Sequence, residues 1–207
     1  MHQKRLLALL AAVLCSVAAY AQDAGIYLKG TLGFECRYAQ FDIDKAGFLG
    51  RWAWDDYAAR FALNPTVGIM PAPDSDNFFL KGLGIEAGLG IGCGSLAVDA
   101  DGESLDTMLL AFIPRVSAVW HLFFGDARFG DRTQVLVPHV LLGVELPVQV
   151  PLEESLGSLL TFGVDTGIGL TLNVTEQVGM VAEIVWTLPF GSADGFALSA
   201  GVTYRLR

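Results

Sequence analysis

The chain has 207 residues, 22 of them acidic and 13 basic, and the resulting net charge of −9 disfavours nucleic acid as a partner. Hydrophobic residues make up 53% and charged residues 17%, below the roughly 25% charged content of an average soluble domain. That composition suits hydrocarbon better than water. Yet after residue 21 no apolar run approaches the roughly 18 to 20 residues that a membrane-crossing helix needs, which leaves a membrane β-barrel.

Residues 1–21 have the form of a secretory signal: the basic pair Lys4-Arg5, an apolar run from Leu6 to Ala19 and the ending Ala19-Tyr20-Ala21. The expected mature domain is 22–207, exported and placed in the cell outer membrane. Cys15 follows Val13 and Leu14 rather than a small residue, which argues against lipidation. An exported protein could bridge Cys36 and Cys93. On the strand assignment below they lie two strands apart, about 10 Å, beyond the ~7 Å between Cα atoms that a bridge tolerates unless the strand bends at Cys93.

The first strand starts at Ile26, where Ile26, Leu28, Leu32, Phe34, Cys36 and Tyr38 face one way and Tyr27, Lys29, Thr31, Gly33, Glu35 and Arg37 the other. Further period-two runs follow at about 58–70, 78–92, 107–122, 134–150, 159–174 and 178–189. A last one at 196–206 has Phe196, Leu198, Val202, Tyr204 and Leu206 on one face. The fold class predicted is all-β, an eight-stranded antiparallel up-and-down barrel, each run long enough to cross a bilayer, which takes ~9 to 11 tilted residues. With the N-terminus in the periplasm, 39–57, 93–106, 151–158 and 190–195 become outer loops and 71–77, 123–133 and 174–177 become periplasmic turns. The first loop, with Trp52, Trp54 and Tyr57, is the candidate contact surface for a host or matrix partner. Asp42, Asp44, Asp55, Asp56, Asp99, Asp101, Glu103 and Asp106 make the outer loops acidic.

The large, continuous apolar face suits lipid, and the face of glycine, serine, threonine and isolated charges suits a lumen. Aromatics group accordingly, Trp120, Phe123 and Tyr204 at the periplasmic end and Tyr38, Trp52, Trp54, Phe61, Trp186 and Phe196 at the outer end. By the same parity an inward glycine such as Gly167 should accept alanine more cheaply than Leu170 or Ile184 accepts arginine.

Lys29, Glu35, Arg37, Arg60, Glu86, Arg115, Glu145, Asp165, Glu183 and Arg205 are predicted to line the lumen. Eight strands enclose a bore just wide enough to be filled by side chains, so these charges form either a salt-bridged plug or the walls of a narrow passage in the space left by inward glycines. Prolines donate no ladder hydrogen bond, and Pro65, Pro114, Pro138 and Pro147 all fall within runs. Each marks a bulge or strand end, or else Pro114, Pro138 and Pro147 mark a lateral seam between strands four and five. No catalytic, cofactor or metal site is expected. His121 and His139 fall near the periplasmic end with no serine within two residues and read as interfacial rather than catalytic.

The cleaved signal, the glycine-rich inward positions, the eight strands and the last strand, Gly201-Val202-Thr203-Tyr204-Arg205-Leu206, together resemble the OmpW family of small outer-membrane barrels. Such barrels usually end in an aromatic residue read by the barrel assembly machinery, whereas this chain ends Leu206-Arg207. The resemblance implies an outer-membrane channel for small hydrophobic or weakly polar solutes, monomeric and surrounded by outer-membrane lipid. The alternative is a non-conducting structural or surface-interaction barrel that works through its loops.

Overall fold

The computed structural model describes residues 24–39, 57–100, 103–152, 158–188 and 193–206. The signal segment, Trp52, Trp54, Asp42, Asp44, Asp55, Asp56 and Asp101 lie outside them. The backbones of Arg37, Tyr38, Tyr57, Asp99, Glu103 and Asp106 are described and their side chains are not.

Ten strands and one short helix follow in order: β1 (Gly25–Ala39), β2 (Tyr57–Met70), α1 (Phe78–Gly82), β3 (Leu83–Ala100), β4 (Glu103–His121), β5 (Leu136–Glu145), β6 (Val148–Pro151), β7 (Leu159–Leu160), β8 (Gly163–Asn173), β9 (Val178–Leu188) and β10 (Ala193–Leu206). β5 with β6, and β7 with β8, are the two halves of single barrel strands, so eight strands close the wall. Every neighbouring pair is antiparallel, and the ends of the chain meet where β1 pairs β10 from Ile26–Leu206 to Ala39–Ala193. Tyr57 belongs to β2, opposite Tyr38, rather than to the loop. Most of the predicted second loop is ladder as well, since β3 and β4 pair out to Ala100–Glu103.

The run predicted from 78 begins instead with α1, because Asn77 Oδ1 accepts the backbone N–H groups of Phe79 and Leu80 at 2.9 and 3.3 Å and caps a helical turn. The turn lays Phe79 against Trp120, stacked at 4.9 Å between centroids, with Phe78 edge-on to Trp120 at 5.6 Å. This aromatic foot stands where the sequence put Trp120 and Phe123. Phe123 itself is 2% exposed and points into the barrel.

Alternation sets the two faces. Leu28, Leu32, Leu63, Ile85, Leu89, Val116, Leu142, Ile168, Leu170, Met180, Leu198 and Val202 are all exposed, and the residues between them are buried or half-buried. In water such a surface would be untenable, and in hydrocarbon it is the solvated face of a closed ladder. Cys36 and Cys93 are both free thiols, Cys36 opposite Ala59 and Cys93 opposite Phe61.

The prolines create gaps without bulges. β4 keeps one register against β5 (Arg115–Glu145) and β6 (Phe112–Val148) across Pro147, which interrupts the strand. Pro138 opposes Leu170 within an unbroken ladder and accepts Leu122 N–H at 2.8 Å, and Pro114 accepts Leu146 N–H at 3.0 Å. The seam predicted between strands four and five is therefore laced on both sides of Pro147. Between β2 and β3 the pairing passes from Leu63–Ile91 to Thr66–Gly88 and omits Asn64 and Pro65.

Leu170→Arg, which places charge on the 42%-exposed outer face, should lower unfolding free energy by about 2 to 4 kcal/mol near the bilayer middle, read as a shifted denaturation midpoint in refolded liposomes. Gly167→Ala should also lower the midpoint, because the new Cβ would stand 2.6 Å from the Ile184 carbonyl oxygen.

Candidate functional site in the barrel lumen

Strand alternation projects every second side chain inward, and the lumen's chemistry is the sum of those positions. At the end bearing the turns, the chain between β4 and β5 folds into the barrel mouth. There Phe123, Ala127 and Phe129 pack with Tyr27, Met70 and Val137 into an apolar stopper. The Arg205 guanidinium lies 5.1 Å above the Phe129 ring, donates to Asn173 Oδ1, and reaches the Glu176 carbonyl at 3.1 Å. Asn173 Nδ2 in turn donates to the Gln134 carbonyl at 2.9 Å and fastens the turn to β8.

Above the stopper lies a ring of ionisable groups. Lys29 Nζ donates to Glu86 Oε2 at 2.6 Å and to Glu183 Oε1 at 2.7 Å. Tyr27 donates its hydroxyl to the other Glu86 oxygen at 2.7 Å and lies 3.4 Å from His121 Nε2. His139 Nε2 is 3.0 Å from Glu183 Oε1, and the two imidazole centroids are 5.3 Å apart. The circuit therefore runs from Lys29 through Glu86, Tyr27, His121, His139 and Glu183 back to Lys29. Nearer the loops, Arg60 contacts Glu35 Oε2 through Nε and Nη2, each at 2.6 Å. Arg115 bridges Glu145 at 3.2 Å and Asp165 at 3.0 Å, and Thr187 donates to the other Asp165 oxygen at 2.8 Å.

All the inward charges predicted from the sequence whose side chains are described thus reach a partner, while that of Arg37 lies outside the described residues. Burial is near complete for Glu35, Arg60, Glu145 and Asp165, each at 1% exposure or less. Such groups are tolerated in a low-dielectric interior only when paired and hydrogen-bonded.

The inward glycines do not hollow the lumen. A Cβ on Gly163 would meet Thr187 at 2.6 Å and Glu145 at 3.2 Å, and on Gly169 it would run into His139 and Glu183. Gly68, directly across the ladder from Tyr27, lies under that phenol ring. The lumen spaces between described residues are small. One lies between Lys29, Thr66, Glu86, Arg115 and Glu183 and the other among Tyr27, His121, Phe129, Thr203 and Arg205, each about 20 Å³, the room of one water.

His121 and His139, expected at the interface, are 8% and 2% exposed and belong to the ring. The signal that would have placed them was parity: His121 shares a face with Arg115, Ser117 and Val119, and His139 with Glu145, Gly143 and Leu141. Tyr27 and Phe123 follow the same rule. Among the described residues no cluster of three His, Cys, Asp or Glu side chains could hold a metal ion. Chemically the arrangement can hold charge, share protons between imidazole, phenol and carboxylate, and fix the wall rigidly.

No protein-family model and no curated protein matches the chain. Solved structures do. The chain superposes on Neisserial surface protein A (NspA) with a TM-score of 0.56 at 15% identity, covering 88% of this chain and 99% of that one. It superposes on the outer membrane protein OprG from Pseudomonas aeruginosa with a TM-score of 0.60 at 11% identity, covering 89% and 96%. At those identities the likeness is one of fold.

Removing Glu183 takes from Lys29 one of its two carboxylates and from His139 Nε2 its carboxylate partner. Glu183→Ala should cost about 3 to 5 kcal/mol, read as a lowered urea midpoint of the refolded barrel. Thr187→Ala, which removes a hydroxyl and leaves Asp165 its Arg115 contact, should cost about 1 kcal/mol. Equal losses in the two variants would show that the ring is not the buried core it resembles. These geometries make the protein a small eight-stranded barrel of the outer-membrane fold class, closed around a charged core.

Proposed function

We propose that this is a closed barrel of the outer membrane whose lumen is structural and whose work is done at the cell surface. One observation carries the reading: across the middle of the bore, side chains from β1, β2, β3, β4, β5, β8 and β9 are joined into ion pairs, with room for about one water beside them. A solute would have to break several buried pairs to pass.

The loop end supports the second half of the reading. β3 and β4 run for 18 and 19 residues, well beyond the ~9 to 11 that cross a bilayer. Their paired ends therefore project a two-stranded hairpin carrying Asp99, Glu103 and Asp106 past the membrane surface. The hairpin is the surface offered to a host or matrix partner, with Trp52 and Trp54, outside the described residues, as the further candidates from the sequence. Placement by the assembly machinery, a monomeric state, cleavage after residue 21 and kinship with the OmpW family belong to the same proposal.

Passage of small hydrophobic or weakly polar solutes is the second reading, and the gap at Asn64 and Pro65 favours it. A depression of about 730 Å³ on the outer face, lined by Lys29, Gly30, Pro65, Thr66, Gly88 and Leu89, backs onto the small lumen space that shares Lys29, Thr66 and Gly88. A sideways exit would therefore lie between β2 and β3 rather than at Pro114, Pro138 and Pro147.

Uptake of labelled apolar and polar solutes into liposomes separates the two. Refolded protein should admit neither faster than empty liposomes, whereas a Glu86→Ala, Arg115→Ala variant should leak because the Lys29–Glu86, Arg115–Glu145 and Arg115–Asp165 cross-links are gone. Wild-type uptake that tracks solute polarity, with faster amide exchange at 88–91 than in β9 and β10, would replace the closed barrel with the lateral passage.

A further inference from the structure

His121 and His139 stand directly opposite each other across the β4–β5 ladder, both inward and both buried. β1 presents Tyr27 and Lys29, β3 presents Glu86, β9 presents Glu183 and β10 presents Arg205. Arg115 of β4 lies across the water-sized space from Glu86. β2 and β8 offer Gly68, Met70, Gly169 and Thr171, none of them charged.

Lys29 and Arg205 balance Glu86 and Glu183 when both imidazoles are neutral. One added proton has a place, between His139 Nε2 and Glu183 Oε1 at 3.0 Å. A second, on His121, has none. Both carboxylates are already engaged by Lys29, Tyr27 and His139, and the polar neighbour of His121 Nε2 is the Tyr27 hydroxyl at 3.4 Å. Two imidazolium rings with centroids 5.3 Å apart would then repel each other, and Lys29 and Arg205, in a medium that screens poorly.

The strain falls on one segment. His121 is the last residue of β4 and stacks on Phe123, 6.1 Å between centroids and 24° between planes. Phe123 opens the turn that forms the stopper with Met70, Ala127 and Phe129. We propose that His121 and His139 are an acid-sensitive latch that holds the 122–135 turn in the barrel mouth and loosens it when both rings carry a proton. The ligand is the proton. The turn's own Asp131 titrates on the acid side of its neighbours, because the Thr133 backbone N–H that it accepts at 2.9 Å keeps its carboxyl below the ordinary carboxylate range.

Methionine methyl signals test this in refolded, nanodisc-embedded protein. Met70 is wholly buried in the stopper, while Met108 and Met180 face lipid at 52% and 56% exposure and serve as internal references. Between pH 7.5 and pH 4 the Met70 methyl resonance should shift and broaden reversibly while Met108 and Met180 hold still. The change should vanish in His121→Gln and in His139→Gln, each of which abolishes the two-cation state, so whichever variant refolds is sufficient. A Met70 signal unmoved over that range would overturn the latch, as would an equal shift in wild type and a folded histidine variant.

Discussion

A barrel that gives its apolar residues to lipid must build its interior from what is left, and here that interior depends on Lys29. Its ammonium touches carboxylates from two other strands, Glu86 of β3 and Glu183 of β9, at 2.6 and 2.7 Å. These bonds cross the bore rather than run along one wall, so they fix its cross-section. Charge pairs of this kind add little net stability relative to well-packed apolar side chains. What they provide is a penalty against alternatives: a one-residue slip of any participating strand would carry its charge out into hydrocarbon and leave its partners unpaired. The ring therefore acts chiefly on register.

The wall makes room for these long side chains by a simple exchange. Tyr27 and Glu86 both border Gly68, Glu183 and His139 both border Gly169, Glu145 borders Gly163, and Arg115 borders Gly88. A long inward residue on one strand is matched by glycine on the next, the small-and-large alternation that fills narrow barrels. The glycines are thus part of the packing. They free no path, which is why composition by itself left plug and passage undecided and the side-chain geometry favours the plug.

Period-two alternation carried the fold class, most strand positions and the inward charges, since at a membrane each parity error would cost a buried charge or an exposed backbone. It was weakest where parity was set aside for composition. His121 and Phe123 continue the inward series of β4 through Ser117 and Val119, yet nearness to a strand end suggested an interface. α1 could not be read from alternation, because a single helical turn capped by Asn77 is a local hydrogen-bond event inside an apolar run. The extent of the β3–β4 hairpin was hidden by its acidic, loop-like composition beyond Gly94. Which inward acid meets which base was also out of reach, because partners such as Lys29 and Glu183 are brought together only by closure.

That last point bears on how the chain reaches its final state. Lys29 and Glu183 lie 154 residues apart, and the seam that unites their neighbourhoods is the pairing of β1 with β10, the first and last strands. Strands can be laid down in order from β1, each against its predecessor, but Lys29 keeps one of its carboxylates distant until the final strand arrives. The ring is therefore an end-point contact of high sequence separation, formed late and with a large loss of chain entropy. A half-built sheet would carry unpaired lumen charges on one face, so the last hydrogen-bonded seam and the last salt bridge complete each other.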